Sequence, residues 1–272
     1  MSKPALDNIL QERVVRAKDR LVFISDVHLG AHSHIKNKRL EEALIRLIDE
    51  CDALDFGIVI LGDLYDFWME YKNERPLLAN RLMDRFNQFH THNPDTLYIM
   101  GNHDCWMQDY HTMLGFDLEY EFRVLKTSES TIFVHHGDGL SNKKLNLKRS
   151  LLNRTLRQHK IIQLYQYILP PFIGLKTMEK FSHFNKVIDN NIPDTKKLDR
   201  WTQQLFDLST IDAAVSGHDH VERKKTFGDN VYMNCGAFFE NQTIGLYNRN
   251  HFQLVSLKEQ SLHQTVSTYS DQ

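Results

Sequence analysis

Along the chain, short uninterrupted apolar runs alternate with stretches in which apolar residues recur every three or four positions. Leu21-Val22-Phe23-Ile24-Ser25, Ile58-Val59-Ile60-Leu61 and Leu97-Tyr98-Ile99-Met100 are runs of the first kind. Short, continuous and β-branched, they predict buried strands. Between the first two, Leu40, Ala43, Leu44, Leu47 and Ile48 fall at helical spacing within residues 39–51, which predicts a strand–helix–strand unit. Residues 76–89 predict the next helix, with Pro76 in its first turn, where a missing N–H costs nothing. Further strands are predicted over 122–125, 131–135, 213–216, 231–233 and 243–247, the later ones divided by turn residues rather than helices. With no internal repeat or low-complexity tract, the pattern predicts an α/β protein of mixed sheets packed in layers.

The chemistry lies at the ends of these strands. Asp26-Val27-His28, Gly62-Asp63-Leu64-Tyr65-Asp66, Gly101-Asn102-His103-Asp104, His135-His136-Gly137-Asp138 and Gly217-His218-Asp219-His220 each gather metal-type ligands at a turn. Asp26, Asp63 and Asn102 come at or just past a predicted strand end, so they project from the carboxyl edge of a sheet, where open α/β folds bind ligands. Glycine beside the ligands in four of the blocks fits tight turns that bring backbone close to an ion. Carboxylates and imidazoles without thiolate suit manganese, iron or zinc better than calcium or a structural zinc.

Composition narrows the setting. The chain has 272 residues, 41% hydrophobic and 25% charged, enough for a full core. Lys+Arg 33 against Asp+Glu 35 leaves a net charge of -2, so no global field attracts or repels nucleic acid. Cys51, Cys105 and Cys235 follow no CxxC spacing, which speaks against a disulfide framework or thiolate zinc and for a reducing compartment. The first twenty residues are polar without an apolar core, and no stretch reaches the roughly 18 apolar residues of a spanning helix. Export by a standard signal, or anchoring by a helix, is not expected.

One segment breaks the strand pattern. Between Asp138 and Glu179 there is no acidic residue, while Lys143, Lys144, Lys148, Arg149, Arg154, Arg157, Lys160 and Lys176 accumulate. Leucines and isoleucines run through it and lead into Pro170-Pro171. Basic and apolar together, it has the profile of interfacial helices at an anionic lipid surface. A solvated helical pair packing on its own domain is the plainer alternative. Its interleaved residues are mostly aliphatic rather than stacking aromatics, which argues against a nucleic-acid channel.

The five ordered blocks resemble the calcineurin-like metallophosphoesterase superfamily over roughly residues 20 to 250. The resemblance implies a four-layer α-β-β-α sandwich of two mixed sheets with an inserted helical lid. It implies a core of residues 20–140 and 198–258, a lid over 141–197, and polar termini at 1–19 and 259–272. By the same resemblance Asp26, His28 and His220 hold one divalent ion, Asn102, His136 and His218 a second, and Asp63 bridges both, manganese being favoured over iron or zinc. In-line attack of an activated water on phosphorus follows, without a covalent intermediate. His103 resembles the family's proton donor at the leaving side, with Asp66 or Asp104 orienting its ring. His136-Gly137-Asp138-Gly139-Leu140 with its basic, then apolar, continuation and Phe67-Trp68 narrow the likeness to the UDP-2,3-diacylglucosamine diphosphatase branch. That branch implies a lipid-linked nucleotide sugar substrate whose phosphates meet Lys148, Arg149, Arg154 and Arg157. It also implies a cytoplasmic enzyme held peripherally at the inner membrane by its lid, and the sequence names no protein partner. Two residues depart from the branch: His103 stands where arginine is usual, and Asp219 where threonine is common within GHxH. The alternative is another nucleotide or lipid-linked substrate of the same superfamily.

Overall fold

The computed structural model describes residues 3–72, 74–178 and 195–270. In chain order these form α1 (Lys3–Gln11), β1 (Val14–Arg16), β2 (Arg20–Ile24), α2 (His34–Leu54), β3 (Gly57–Ile60), α3 (Asn80–His90), β4 (Thr96–Ile99), α4 (Asp109–Met113) and β5 (Phe116–Glu119). After β6 (Phe122–Lys126) and β7 (Thr131–His135) comes the insertion: a 3-10 turn at Lys143–Leu145, α5 (Leu151–Leu156), α6 (His159–Ile168) and a helical stretch over 171–178, α7. The chain then forms α8 (Thr195–Leu208), β8 (Ala213–Ser216), β9 (Arg223–Phe227), β10 (Asn230–Asn234), α9 (Phe238–Asn241), β11 (Thr243–Asn248), β12 (His251–Ser256) and α10 (Leu262–Ser270). The last part of the basic segment, residues 179–194, lies outside the described residues.

Two six-stranded sheets result, ordered β12-β11-β2-β3-β4-β5 and β1-β6-β7-β8-β10-β9. Strands β2 to β5 run parallel, with β11 antiparallel to β2. In the second sheet β7, β8 and β10 are parallel neighbours. Both sheets are mixed, as expected.

Alternation along each strand explains the layers. Leu21, Phe23, Val59, Leu61, Leu97 and Ile99 pack between the sheets against Leu125, Ile132, Val134, Ala213, Val215 and Met233. Their neighbours Val22, Ile24, Ile58, Ile60 and Tyr98 face outward onto the buried stripes of α2 and α3. The second sheet's outer face, with Phe133, Ala214 and Tyr232, is covered by α1 and α8 through Leu6, Leu10, Trp201 and Leu205. Burial on both faces is why these strands read as continuous apolar runs, and the product is a four-layer α-β-β-α sandwich.

The first helix after β3 starts later than Pro76 suggests. It begins at Asn80, where Glu41 of α2 accepts from Leu82 N at 3.2 Å and so supplies the first turn with an acceptor. The termini are more than polar tails. Val14 pairs in parallel with Val124 to extend a sheet, and Leu6 and Leu262 are buried.

Candidate metal centre

Every expected ligand leaves the carboxyl end of a parallel strand. Asp26 and His28 follow β2, Asp63 follows β3, Asn102 follows β4, His136 follows β7, and His218 and His220 follow β8. The turns are stitched to each other rather than to solvent. Asp26 N donates to Gly62 O at 3.2 Å, Val27 N and His28 N both to Asp63 O, Gly217 N to His136 O, and His218 N to Asp26 Oδ2 at 2.8 Å. Asp26, His28, Asp63, His218 and His220 all hold left-handed backbone, with φ between 50° and 74°. Such strain in non-glycine residues persists only where surrounding contacts enforce it, and it concentrates at functional sites.

The side chains converge. His28 Nε2 lies 3.3 Å from His220 Nε2, and His220 Nε2 lies 3.3 Å from Asp26 Oδ1. His136 Nε2 is 3.1 Å from Asn102 Oδ1 and 3.4 Å from Asp63 Oδ2, and His28 Nε2 is 3.9 Å from that same Asp63 oxygen. His218 completes the cluster, its ring centroid 4.9 Å from that of His136. Three groups, Asp26 with His28 and His220, His28 with Asp63 and His103, and Asp26 with Asp63 and His136, each bring ligand atoms within 4.8 Å of one another.

The donor set fits divalent cations. Asp26 Oδ1 is buried and faces the imidazoles of His220 and His28, at 3.3 and 3.9 Å, an arrangement that is costly unless a positive charge answers the carboxylate. The Nδ1 of His136 lies 2.7 Å from the Leu61 carbonyl; a proton held there leaves the Nε2 lone pair facing the cluster, as metal-bound imidazoles are arranged. Burial alone would depress His136, yet Asp63, with Asp26 and Asp138, overrides it and raises the group to about 10. The pocket thus has a field that favours a cation where the ligands meet. Gly101 makes room for it, since a Cβ there would collide with the Asp63 carboxylate, and a Cβ at Gly62 would run into Gly101 N and His136 Nδ1.

His103 is placed beside the ligands, its ring centroid 4.8 Å from that of His28. Its Nδ1 lies 2.8 Å from the Asp66 carbonyl and 3.7 Å from Asp66 Oδ1, while its own N–H donates to Asp63 Oδ1 at 2.9 Å. Asp104 does not share the expected orienting role. Its carboxylate accepts from Gly101 N, Leu64 N and Tyr98 Oη, tying the β3 and β4 turns together. Burial and the nearby Asp63 charge raise it to about 6.

The basic insertion roofs the segments that follow two of the ligand blocks. Trp106 Nε1 donates to Leu156 O at 2.8 Å, Tyr71 Oη to Leu169 O at 3.0 Å, and Gln166 Nε2 to Glu70 O at 2.6 Å. Lys148 and Arg154 are exposed there. Arg149 and Arg157, expected to contact substrate, are instead buried against Asp138 and engaged with protein acceptors. Leu151, Leu164, Tyr167, Ile168, Phe172 and Ile173 stand out in solvent, Tyr167 at 89% exposure.

Sequence reasoning did not single out as site residues Ser25, whose hydroxyl donates to Asp26 Oδ2 at 2.5 Å, or Phe239, whose ring lies 5.6 Å from His28 and 5.5 Å from His220. Phe239 enters only by contact across the fold, whereas Ser25 adjoins Asp26 in sequence but carries no ligand chemistry of its own. Arg223 is a third such residue, paired with Asp219 at 2.7 Å and with Asp199 of α8 at 2.8 Å. The unusual acid within GHxH is therefore an ion-pair partner.

Comparison with known proteins agrees with this geometry. Residues 19–222 match the calcineurin-like phosphoesterase family. A UDP-2,3-diacylglucosamine hydrolase of Porphyromonas gingivalis is 26% identical over 262 residues, covering 84% of this chain and 97% of the relative. A protein of the same description from Histophilus somni is 23% identical, covering 73% and 82%. Among solved structures, a phosphoesterase from E. coli is 17% identical with a TM-score of 0.45, covering 89% of this chain and 95% of that one.

Proposed function

This chain belongs to the calcineurin-like phosphoesterase family and is a metal-dependent hydrolase, and from that premise we propose that it cleaves the pyrophosphate bond of UDP-2,3-diacylglucosamine, releasing UMP and 2,3-diacylglucosamine 1-phosphate. The observation that carries the reading is the convergence of Asp26, His28, Asp63, His136 and His220, with Asn102 and His218 beside His136, from two sheets next to a basic, apolar roof. Relatives that bear the name of that hydrolase, matched over most of both chains, support the choice of substrate.

Asp26, His28 and His220 would hold one ion and Asn102, His136 and His218 the other, with Asp63 shared between them. Manganese is the expected metal. Bound there, the ions supply Lewis acidity and a nucleophile at neutral pH. The chain's own residues position the rest. His103 turns its Nδ1–H to the Asp66 carbonyl, which fixes the ring and leaves Nε2 as the atom through which the imidazolium form would donate a proton to the leaving phosphate oxygen. Exposed Lys148 and Arg154 meet the phosphates, and Phe239 walls the cluster on one side.

The exposed apolar residues of α6 and α7 form the face that meets lipid. Lys160 and Lys176 stand exposed on the same helices, suited to anionic headgroups. No helix among the described residues is long and apolar enough to cross a membrane, so contact would be peripheral.

The test is UMP release from synthetic UDP-2,3-diacylglucosamine with manganese, run beside a generic phosphodiester. Manganese-dependent turnover of the lipid substrate, far above the control, is expected. Turnover of the control alone would refute the substrate assignment.

A further inference from the structure

The strongest unexplained feature is a buried charge cluster between the insertion and two ligand turns. Arg157, its side chain 6% exposed, donates through Nη2 to Met100 O at 3.1 Å and to Asp138 Oδ2 at 3.0 Å, and through Nη1 to Tyr120 O at 2.9 Å. Met100 immediately precedes Gly101-Asn102, and Asp138 stands two residues beyond His136. One guanidinium from the insertion therefore holds the exit of β4 and the exit of β7. Arg149 reinforces it: Nη1 donates to Glu121 Oε1 at 2.9 Å, Nη2 to Gly139 O at 2.7 Å, and Nε lies 3.0 Å from Asp138 Oδ2. The backbone at Gly139, with φ +113°, passes so close to Arg149 that a Cβ would come within 2.5 Å of its main chain.

The two turns held in this way carry Asn102 and His136, whose ligand atoms are 3.1 Å apart. Their separation sets whether one ion can be gripped by both. Buried ion pairs stabilise a fold no more, and often less, than well-packed apolar residues would. A planar fork with several fixed donors is, however, suited to fixing the relative position of separate backbone segments.

We propose that Asp138, Arg149 and Arg157 are positioning residues that set the Asn102–His136 half of the metal centre, so that retention of the second ion depends on the insertion. The inference rests on the metal-binding reading above and removes Arg149 and Arg157 from the substrate-contacting set. It makes the insertion part of the metal centre rather than a detachable cover.

The test is manganese binding to chelator-stripped full-length protein, followed by calorimetric titration and by elemental analysis after dialysis, with circular dichroism and thermal melts as a check on folding. Wild type should bind two ions. Arg157→Ala and Asp138→Asn should bind one as wild type does and the other about 10- to 100-fold more weakly, with Arg157→Lys intermediate because a single ammonium cannot span three acceptors. If Arg157→Ala does not fold, Arg157→Lys and Asp138→Asn decide. Two unaltered manganese affinities in folded variants overturn the proposal, whether the change appears as a raised KM, which would return Arg157 to substrate contact, or as a lowered melting temperature alone. A wild-type protein that binds no manganese would instead overturn the metal reading on which this one rests.

Discussion

Asp63 is the residue on which most contacts in the site converge. One carboxylate oxygen faces His136 and His28, the other accepts from His103 N, and its carbonyl receives two backbone donors from the β2 turn. Asp63→Ala should lower turnover by about 10³-fold or more, because both proposed ions would lose a ligand together; a rate near wild type in a steady-state assay would contradict the sharing. Gly101→Ala tests the same point from the backbone side. Its methyl would enter the Asp63 carboxylate, so a loss of manganese binding is expected, with overpacking destabilisation of about 1–3 kcal/mol measurable by denaturant titration. For His103→Gln, kcat should fall about 10²- to 10⁴-fold with little change in KM. At this scale the clustering of the candidate ligands was legible in the sequence because their types, order and glycine neighbours are constrained by chemistry. Side-chain direction was not. Asp104 stands next to His103 in sequence, yet its oxygens turn to Gly101, Leu64 and Tyr98. Arg149 and Arg157 read as free cations because nothing local reveals that Asp138 and Glu121 answer them.

Among the elements, the segment after β3 is fastened to α4 by a buried polar network. Glu70 accepts from Trp68 Nε1 at 2.9 Å and Tyr110 N at 3.0 Å, with His111 Nδ1 at 3.5 Å, and Tyr65 Oη lies 3.1 Å from His111 Nε2. Burial tends to raise Glu70, and the donors of His111, Trp68 and Tyr110 outweigh it, leaving the group below its ordinary value of 4.5. A depressed carboxylate contributes stability that is present above its unfolded value and is lost as pH falls through its folded one. Glu70→Gln should therefore flatten the loss of melting temperature below about pH 4.5 relative to wild type; parallel acid profiles would contradict the network. The apolar face of α6 and α7 belongs to this scale too. Ile168→Asp with Phe172→Asp should weaken sedimentation with vesicles containing anionic lipid while leaving thermal stability within about 0.5 kcal/mol, since both side chains are exposed. Central strands were readable because both faces are covered. Arg223-Lys224-Lys225-Thr226-Phe227 was missed because β9 is an edge strand dressed in charge, α1 because its polar residues conceal Leu6 and Leu10, and β1 because it is a short edge strand whose valines are flanked by arginines.

For the molecule as a whole, the candidate ligands come from both sheets, three parallel strands of one and two of the other. Ions held there would tie together the layers that meet across the central core. Manganese at a hundred times its dissociation constant should stabilise the fold by about 2.7 kcal/mol per site, and chelation should reverse this in a thermal melt. An unchanged melting temperature would mean that the layers do not share the ions. The layered architecture was foreseeable from the alternation of runs, whereas the pairing of β1 with β6 and the return of β11 beside β2 were not, because strand order depends on contacts distant in sequence.

The whole insertion occupies the crossover from β7 to β8, which are parallel neighbours, so sheet pairing places no limit on its length or shape. Exchange of that crossover between homologues is the direct way to retarget the enzyme, and its first available seam is the glycine-leucine pair after Asp138. The ties made by Arg149 and Arg157 move the productive seam downstream, to Gln158. A hybrid joined there keeps its native grip on the catalytic rim while wearing a foreign canopy.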